Sequence, residues 1–208
     1  MKQDLDYFKS DFRKNWLGWL ELPDWREGNS GNSVDYQTFM FDFVKEKQPR
    51  SILEIGFNAG HSACCFLNAS PRANLVAFDI CIWGTEQPAA EALSKYFDIE
   101  LVKGDSTETV PEYMQSHDDT FDFVFVDGGH RGDTPYLDIA NTKDRVNPGG
   151  YILIDNMEEP PVEKAFERVD WSDYEEELTG IHQPNNPSAP NFPRKDKYQK
   201  YTVMKKNG

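Results

Sequence analysis

The part of this chain with the clearest capacity for chemistry is an apolar run that ends in an acidic residue and a glycine turn. Residues 51–62 carry the spacing Glu54-x-Gly56-xxx-Gly60. Glycine has no Cβ, so Gly56 and Gly60 let the backbone turn sharply and approach a ligand, while the following helix presents its free N–H groups. The segment predicts a seat for a nucleotide-like cofactor, although such turns also occur in α/β proteins that bind nothing there.

A second acidic residue supports the cofactor interpretation. Asp79 closes the next apolar run, Leu75 to Phe78, at the position where dinucleotide-binding folds hold the ribose hydroxyls. The full G-x-G-x-x-G pattern of pyrophosphate-binding turns is absent. The spacing therefore favours an adenosyl cofactor without a pyrophosphate over NAD.

A second group of polar residues lies further along the chain. The run FDFVFVDGGH, residues 121–130, places Asp127 at its end, and the run YILIDN ends in Asp155 and Asn156. If these runs are neighbouring parallel strands, the three side chains converge as oxygen ligands, which suits Mg²⁺ or a similar hard cation. The alternative is that these residues simply cap turns and helices, as Asp and Asn at strand ends often do.

His130 is the candidate general base. It follows Asp127 by three residues, and an imidazole that titrates near neutrality can take a proton from a substrate hydroxyl as its oxygen attacks an electrophile. The alternative is a turn histidine that is hydrogen-bonded to a carboxylate. His61 opens the helix after the glycine turn and is placed at the cofactor, whereas His117 and His182 fit loops and receive no role.

Alternating apolar runs and helical periodicities must position these groups. Strands are predicted near 51–55, 74–79, 99–103, 121–126 and 150–155. Helices are predicted near 34–47, 61–69, 87–97, 106–116, 134–146 and 161–169. This alternation builds right-handed crossovers and a mainly parallel sheet, with ligands at the carboxyl ends of the strands.

Local signals mark several of these boundaries. Asp105 with Glu108 predicts a capping box, and Pro135 fits the first turn of a helix. The stretch Asn147-Pro148-Gly149-Gly150 predicts the end of a helix before the last parallel strand.

The pattern changes after residue 170. Two strand-like runs, Tyr174 to Ile181 and Tyr198 to Met204, are joined by the Pro- and Asn-rich stretch His182 to Pro193. The predicted fold is therefore α/β and Rossmann-like: a doubly wound, mainly parallel seven-stranded sheet with an antiparallel C-terminal edge. We expect one domain over residues 34–208, preceded by a segment, residues 1–33, that forms a lid over a substrate pocket or packs on the domain.

Composition narrows the classes of partner. The chain has 22 Lys and Arg against 36 Asp and Glu, a formal charge of −14, which repels nucleic acids and anionic membranes. The basic residues near the end of the chain are predicted to protect a solvated strand edge; they are Arg194, Lys195, Lys197, Lys200, Lys205 and Lys206. The sequence contains no signal-peptide-like stretch and no membrane-spanning run, so we expect a cytoplasmic protein.

Three cysteines do not form a recognisable pairing or metal-binding pattern. Cys64 and Cys65 are adjacent and Cys81 stands apart, without a C-x-x-C spacing. They are predicted to be buried thiols.

Together these segments resemble the class I S-adenosylmethionine-dependent methyltransferases, in particular the metal-dependent catechol O-methyltransferase-like branch. The resemblance covers about residues 34 to 156 and is carried by LEIGFNAGHSA, residues 53–63, and LVKGDSTETVP, residues 101–111. It implies that Ser62 meets the methionine carboxylate, that Asp79 holds the ribose, and that Ser106 borders the adenine together with Thr107. The residues implied to bind S-adenosylmethionine are Glu54, Gly56, Phe57, Gly60, His61, Ser62, Asp79, Ile80, Asp105, Ser106 and Asp127.

The resemblance also implies a metal site and a reaction. Members of this branch bind a metal through an Asp after the fourth strand and an Asp-Asn pair after the fifth, which match Asp127, Asp155 and Asn156. Catechol enzymes have a lysine base where this chain has His130, which argues against a catechol acceptor. The DGGH step is similar to sugar and natural-product O-methyltransferases and cephalosporin-hydroxylase-like proteins, so we expect methyl transfer to a hydroxyl of a small sugar or polyol, with His130 and Asp127 as catalytic residues.

Other functions remain open at this point. One is a binding or structural protein that keeps the fold and transfers nothing. Another is a hydroxylase with a 2-His-1-carboxylate iron site, although only His130 lies near the carboxylates in sequence. Nucleic-acid methylation is disfavoured by the charge and by the absence of an Asn/Asp-Pro-Pro-aromatic step after the fourth strand. The tryptophans of the N-terminal segment, Trp16, Trp19 and Trp25, would serve a homodimer contact or a lid equally well.

Overall fold

A computed structural model describes residues 33–182 and 198–208. The predicted N-terminal segment, apart from Ser33, and the stretch that follows His182 lie outside the described residues. The proposed lid and the division of the chain at residue 33 therefore stay predictions.

Helices and strands alternate along the described residues. The strands are β1 (Ser51–Ile55), β2 (Asn74–Asp79), β3 (Asp98–Lys103), β4 (Phe121–Val126), β5 (Val146–Ile154), β6 (Tyr174–His182) and β7 (Gln199–Lys206). The helices are α1 (Val34–Lys47), α2 (His61–Ala69), α3 (Glu86–Leu93), α4 (Ser106–Ser116), α5 (Thr134–Lys143) and α6 (Pro160–Arg168).

The seven strands form one sheet in the order β3-β2-β1-β4-β5-β7-β6. Strands β1 to β5 pair in parallel, and β7 is antiparallel to both β5 and β6. The strand order reverses between β1 and β4, and ligands bind at such a switch point in doubly wound sheets. The predicted fold class is confirmed.

The two faces of the sheet are covered by different helices. Ile52 points toward the cluster formed with α1, α2 and α3, whereas its neighbour Leu53 packs with α4, α5 and α6. This alternation follows from the two-residue period of a strand. Both faces are buried, so the central strands are mostly apolar.

The basic residues of β7 do not lie on a sheet edge, so that prediction is wrong for the described lysines. β7 is hydrogen-bonded to strands on both sides, and β6 forms the edge of the sheet next to it. Lys205 forms an ion pair of 3.1 Å with Glu175 on β6. Lys205 therefore neutralises one carboxylate of the acidic edge strand, while Lys206 donates to the carbonyl oxygen of Val146 at 2.9 Å.

The boundary between α5 and β5 also differs from the prediction. α5 ends at Lys143, and Asn147 to Gly150 already belong to β5. The pairing register shifts between Phe121 and Phe123 on β4, and the Asn147 amide donates to the Asp122 carboxylate at 2.8 Å. The Pro-Gly-Gly step is therefore an irregular part of the strand and not the end of the helix.

Candidate active site

The glycine turn after β1 touches the end of β4. Gly56 has φ +92°, and a Cβ at this position would lie 1.9 Å from the carbonyl oxygen of Asp127. Gly60, with φ +73°, precedes the first residue of α2, where a Cβ would meet the Phe57 ring at 2.9 Å. Both positions therefore require glycine, and the turn brings the cofactor seat predicted from sequence against the acidic segment after β4.

Glu54 and Ser62 form a buried pair behind this turn. Glu54 has no exposed surface, and the Ser62 hydroxyl donates a hydrogen bond to its Oε1 atom. Burial raises the pKa of Glu54 well above its ordinary value, opposed by the bond from Ser62. Because a hydroxyl has one proton, Ser62 cannot donate to Glu54 and to a cofactor carboxylate at once. The contact of Ser62 with a methionine carboxylate stays a prediction.

Asp79 at the end of β2 orders two turns with one carboxylate. Its Oδ2 atom accepts from the N–H of Asn58 at 2.8 Å, and its Oδ1 atom accepts from the N–H of Cys81 at 2.7 Å. Each oxygen keeps a second lone pair, so these bonds are compatible with the predicted contact to a ribose. Ile80, predicted to line the adenine, is about half exposed.

The start of α4 is fixed by Asp105 and by a residue that the sequence analysis missed. The Asp105 side chain caps α4 by accepting from the Thr107 N–H at 3.0 Å, which is a bond to the second helical residue and not the bond to Glu108 of the predicted capping box. The Ser106 hydroxyl donates to the Oδ1 atom of Asp138 at 2.7 Å. Asp138 occupies a buried position of α5. The sequence pattern that could have identified it is an acidic residue on the apolar face of a predicted helix.

Strand register brings the acidic residues after β4 and β5 together. Val126 pairs with Ile154, so Asp127 and Asp155 follow at corresponding positions, and the Asp155 N–H donates to the Val126 carbonyl at 3.0 Å. Asp155 and Asn156 are buried, and the N–H of Asn156 donates to the Asp155 carboxylate at 2.8 Å. The predicted convergence of strands at this edge is therefore present.

Electrostatics at this edge reflect two carboxylates that lie side by side. Burial raises the pKa of Asp127 and of Asp155, and the charge of Asp127 raises the pKa of Asp155 further. Carboxylate and amide oxygens fit a hard cation in their chemistry. Within residues 33–182 and 198–208, however, no group of three or more His, Cys, Asp or Glu side chains is arranged to hold a metal ion.

His130 faces the first of these carboxylates. Its Nε2 atom lies 3.8 Å from the Oδ1 atom of Asp127, and about a third of its side chain is exposed. Asp127 raises the pKa of His130 above its ordinary value, against the opposing effect of burial, and Glu159 and Glu158 add to the rise. A partly exposed imidazole beside a carboxylate has the arrangement of a general base.

An aromatic group behind Asp155 was not found from the sequence. Tyr36 on α1 stacks on His182 with ring centroids 4.0 Å apart and lies 4.9 Å from the ring of Tyr201. His182 is the buried last residue of β6, so its placement in a loop is wrong. Burial lowers the pKa of His182 to about 4, and burial with the charge of Asp155 raises the pKa of Tyr36.

Two further expectations concern the rest of the described residues. Cys64 and Cys65 are buried as predicted, whereas Cys81 is only partly buried. No helix in the described ranges is both long enough and apolar enough to cross a membrane.

The sheet order, the glycine turn and the acidic strand ends define a class I methyltransferase fold. Residues 53–157, about half of the chain, match a family model described as "Methyltransferase domain". The chain belongs to this family, and the prediction of a methyltransferase is confirmed.

Individual relatives are distant. An uncharacterized protein of Acanthamoeba polyphaga mimivirus is 26% identical over 158 residues, which are 68% of this chain and 71% of that protein. The S-adenosylhomocysteine complex of an O-methyltransferase from Bacillus cereus matches with a TM-score of 0.68 at 14% identity, over 96% of this chain and 90% of the other. TomG, an O-methyltransferase of tomaymycin synthesis from Streptomyces achromogenes, matches with a TM-score of 0.67 at 19% identity, over 99% of this chain and 92% of the other.

Proposed function

We propose that the protein transfers a methyl group from S-adenosylmethionine to a hydroxyl oxygen of a small molecule. The observation that carries the proposal is the pairing of His130 with Asp127 directly beside the Gly56 turn. S-adenosylmethionine, when bound, supplies a methyl group on a sulfonium centre. The base therefore lies next to the seat predicted for the donor.

His130 accepts the proton of the acceptor hydroxyl in this proposal, and the Asp127 carboxylate stabilises the imidazolium that forms. A positioned base contributes a rate factor of ~10²–10⁴. The larger share comes from holding donor and acceptor in line, which supplies ~7–11 kcal/mol. The strand ends that carry Gly56, Asp79 and Asp127 are positioned by a sheet that is packed on both faces.

The acceptor class is a sugar or polyol hydroxyl. Supporting this choice, His130 stands where catechol enzymes carry a lysine, and the formal charge of −14 opposes a nucleic-acid acceptor. One fold can serve many different acceptors, so the acceptor has to be identified by direct screening.

A divalent cation such as Mg²⁺ is the second part of the proposal, and Asp127, Asp155 and Asn156 would hold it. The support is the hard-oxygen donor set and the mutual repulsion of two buried carboxylates, which a cation would relieve. Bound there, Mg²⁺ would favour the ionised form of the acceptor hydroxyl.

The first test is calorimetric titration of S-adenosylmethionine and S-adenosylhomocysteine into protein treated with a chelator, followed by a methylation screen of sugars, polyols and catechols. We expect both ligands to bind and a sugar or polyol to be methylated. Failure of both ligands to bind would overturn the proposal.

Asp155→Asn tests the metal separately. We expect added Mg²⁺ to increase kcat/KM of the chelated wild type by about tenfold or more and to leave the variant unchanged, because the substitution removes one ligand charge and keeps the side-chain shape. The measurement is initial rate against Mg²⁺ concentration.

Glu158→Gln is the matched control for this experiment. Glu158 lies nearby, but its carboxylate accepts from the Lys200 N–H at 2.7 Å and is not one of the three predicted ligands. The control variant should respond to Mg²⁺ as the wild type does. Equal rates with chelator and with Mg²⁺ would remove the metal from the mechanism while leaving methyl transfer in place.

A further inference from the structure

Asp138 is a buried carboxylate that the proposed mechanism does not use. It lies on α5 with 1% of its surface exposed. A carboxylate is expensive to bury unless it is well hydrogen-bonded. Its presence on the apolar face of the helix therefore calls for a reason beyond packing.

The two oxygens of Asp138 face two different parts of the site. The Oδ1 atom accepts from the Ser106 hydroxyl at 2.7 Å, at the first residue of α4. The Oδ2 atom has no hydrogen-bond partner in the described part of the chain. It packs against the backbone after β4, because a Cβ on Gly128 would lie 2.5 Å from it.

We propose that Asp138 is a positioning residue that couples the cofactor-facing end of α4 to the segment 127–130 that carries the catalytic pair. This inference rests on the proposed function, in which Ser106 borders the adenine and His130 is the base. Asp138 touches neither ligand directly. It acts by fixing Ser106 on one side and the Gly128 backbone on the other.

The charges around Asp138 are consistent with this position between the two halves of the site. Burial raises the pKa of Asp138 to about 7, the bond from Ser106 lowers it, Asp105 raises it and His130 lowers it. Asp105 belongs to the cofactor side and His130 to the acceptor side. The pKa of Asp138 therefore depends on charges from both sides of the site.

Asp138→Ala, Asp138→Asn and Ser106→Ala test the coupling. We expect Asp138→Ala to weaken S-adenosylhomocysteine binding about tenfold and to lower kcat about tenfold, since coupled contacts of this kind carry one to two powers of ten. Asp138→Asn keeps an acceptor oxygen for Ser106 and should restore most of the affinity. Ser106→Ala should weaken binding, and its effect on binding should be smaller in the Asp138→Ala background than in the wild type.

Thr142→Ala is the matched control. Thr142 is buried on the same face of α5, but its hydroxyl donates to the carbonyl of Asp138 within the helix. We expect this variant to lower the melting temperature without changing ligand affinity or kcat. An equal loss of affinity in Thr142→Ala would show that α5 acts only through stability and would overturn the proposal.

The readouts separate this inference from the proposed function. If the wild type does not bind S-adenosylhomocysteine, the proposed function fails first. If the wild type binds and the folded Asp138 variants match it in affinity and kcat, or if the Ser106 and Asp138 effects add independently, the coupling is wrong. Where Asp138→Ala does not fold, unchanged binding by Ser106→Ala overturns it.

Discussion

Gly56→Ala is expected to lower kcat/KM by about 100-fold or more, the loss associated with a misplacement of about 1 Å in a catalytic group. The added methyl would lie 1.9 Å from the Asp127 carbonyl oxygen and 2.6 Å from its carbonyl carbon. Neither atom belongs to a flexible side chain, so the β1 turn and the start of the segment after β4 must separate. Initial rates and S-adenosylhomocysteine titration measure the effect.

Gly149→Ala is the matched control for backbone strain. Gly149 also has a positive φ, +77°, but open space surrounds the position of its Cβ. It should lose about 1–2 kcal/mol of stability from the left-handed conformation alone and should keep its ligand affinity and activity. If Gly56→Ala kept wild-type activity, the contact between the glycine turn and Asp127 would have no part in catalysis.

His130→Ala is expected to lower kcat by ~10²–10⁴-fold, the contribution of one positioned base. Alignment of donor and acceptor remains in this variant, so activity should be crippled and not abolished. Affinity for S-adenosylhomocysteine should stay within about threefold of the wild type, less than one power of ten in binding, because His130 faces the acceptor side.

His117→Ala controls for the loss of an imidazole. His117 is exposed at the end of α4, with its Nδ1 atom 3.0 Å from the Tyr113 carbonyl oxygen. Its replacement should leave kcat unchanged. Wild-type kcat in His130→Ala would remove His130 from the mechanism and leave Asp127 without its proposed partner.

The protonation of His130 can be followed directly by NMR in chelated protein. Its pKa is expected above the ordinary value of 6.5, because Asp127 favours the charged imidazolium. A base must be neutral to accept a proton, so activity should rise with pH through this raised pKa. Asp127→Asn should lower the pKa of His130 and move the titration to lower pH; an unchanged pKa would contradict the pairing.

Residues at the ends of parallel strands were predictable because the sheet itself aligns them. Each of the three residues Asp79, Asp127 and Asp155 follows an apolar run. Parallel pairing places the ends of such runs at one edge of the sheet, independently of how the helices pack. The glycine turn was equally predictable, since Gly56 and Gly60 both have positive φ, and a Cβ on Gly56 would clash with the Asp127 backbone. The signal in both cases is local and periodic.

Partners that depend on packing between distant elements were not predictable. Ser106 and Asp138 are 32 residues apart, and their bond depends on the approach of α4 to α5, which no sequence period encodes. The stack of Tyr36 on His182 joins the first described helix to β6 in the same way. The early start of β5 was missed because Asn147-Pro148-Gly149-Gly150 has turn chemistry, while pairing with β4 decided its structure.

The position of β7 between β5 and β6 has a consequence for synthesis of the chain. β6 leaves the ribosome before β7, and in the described structure it pairs with β7 alone. It therefore has no strand partner in this sheet until residues 199–206 have emerged. Its run Glu175-Glu176-Glu177 carries like charges, which oppose pairing with a second copy of the same segment during that interval.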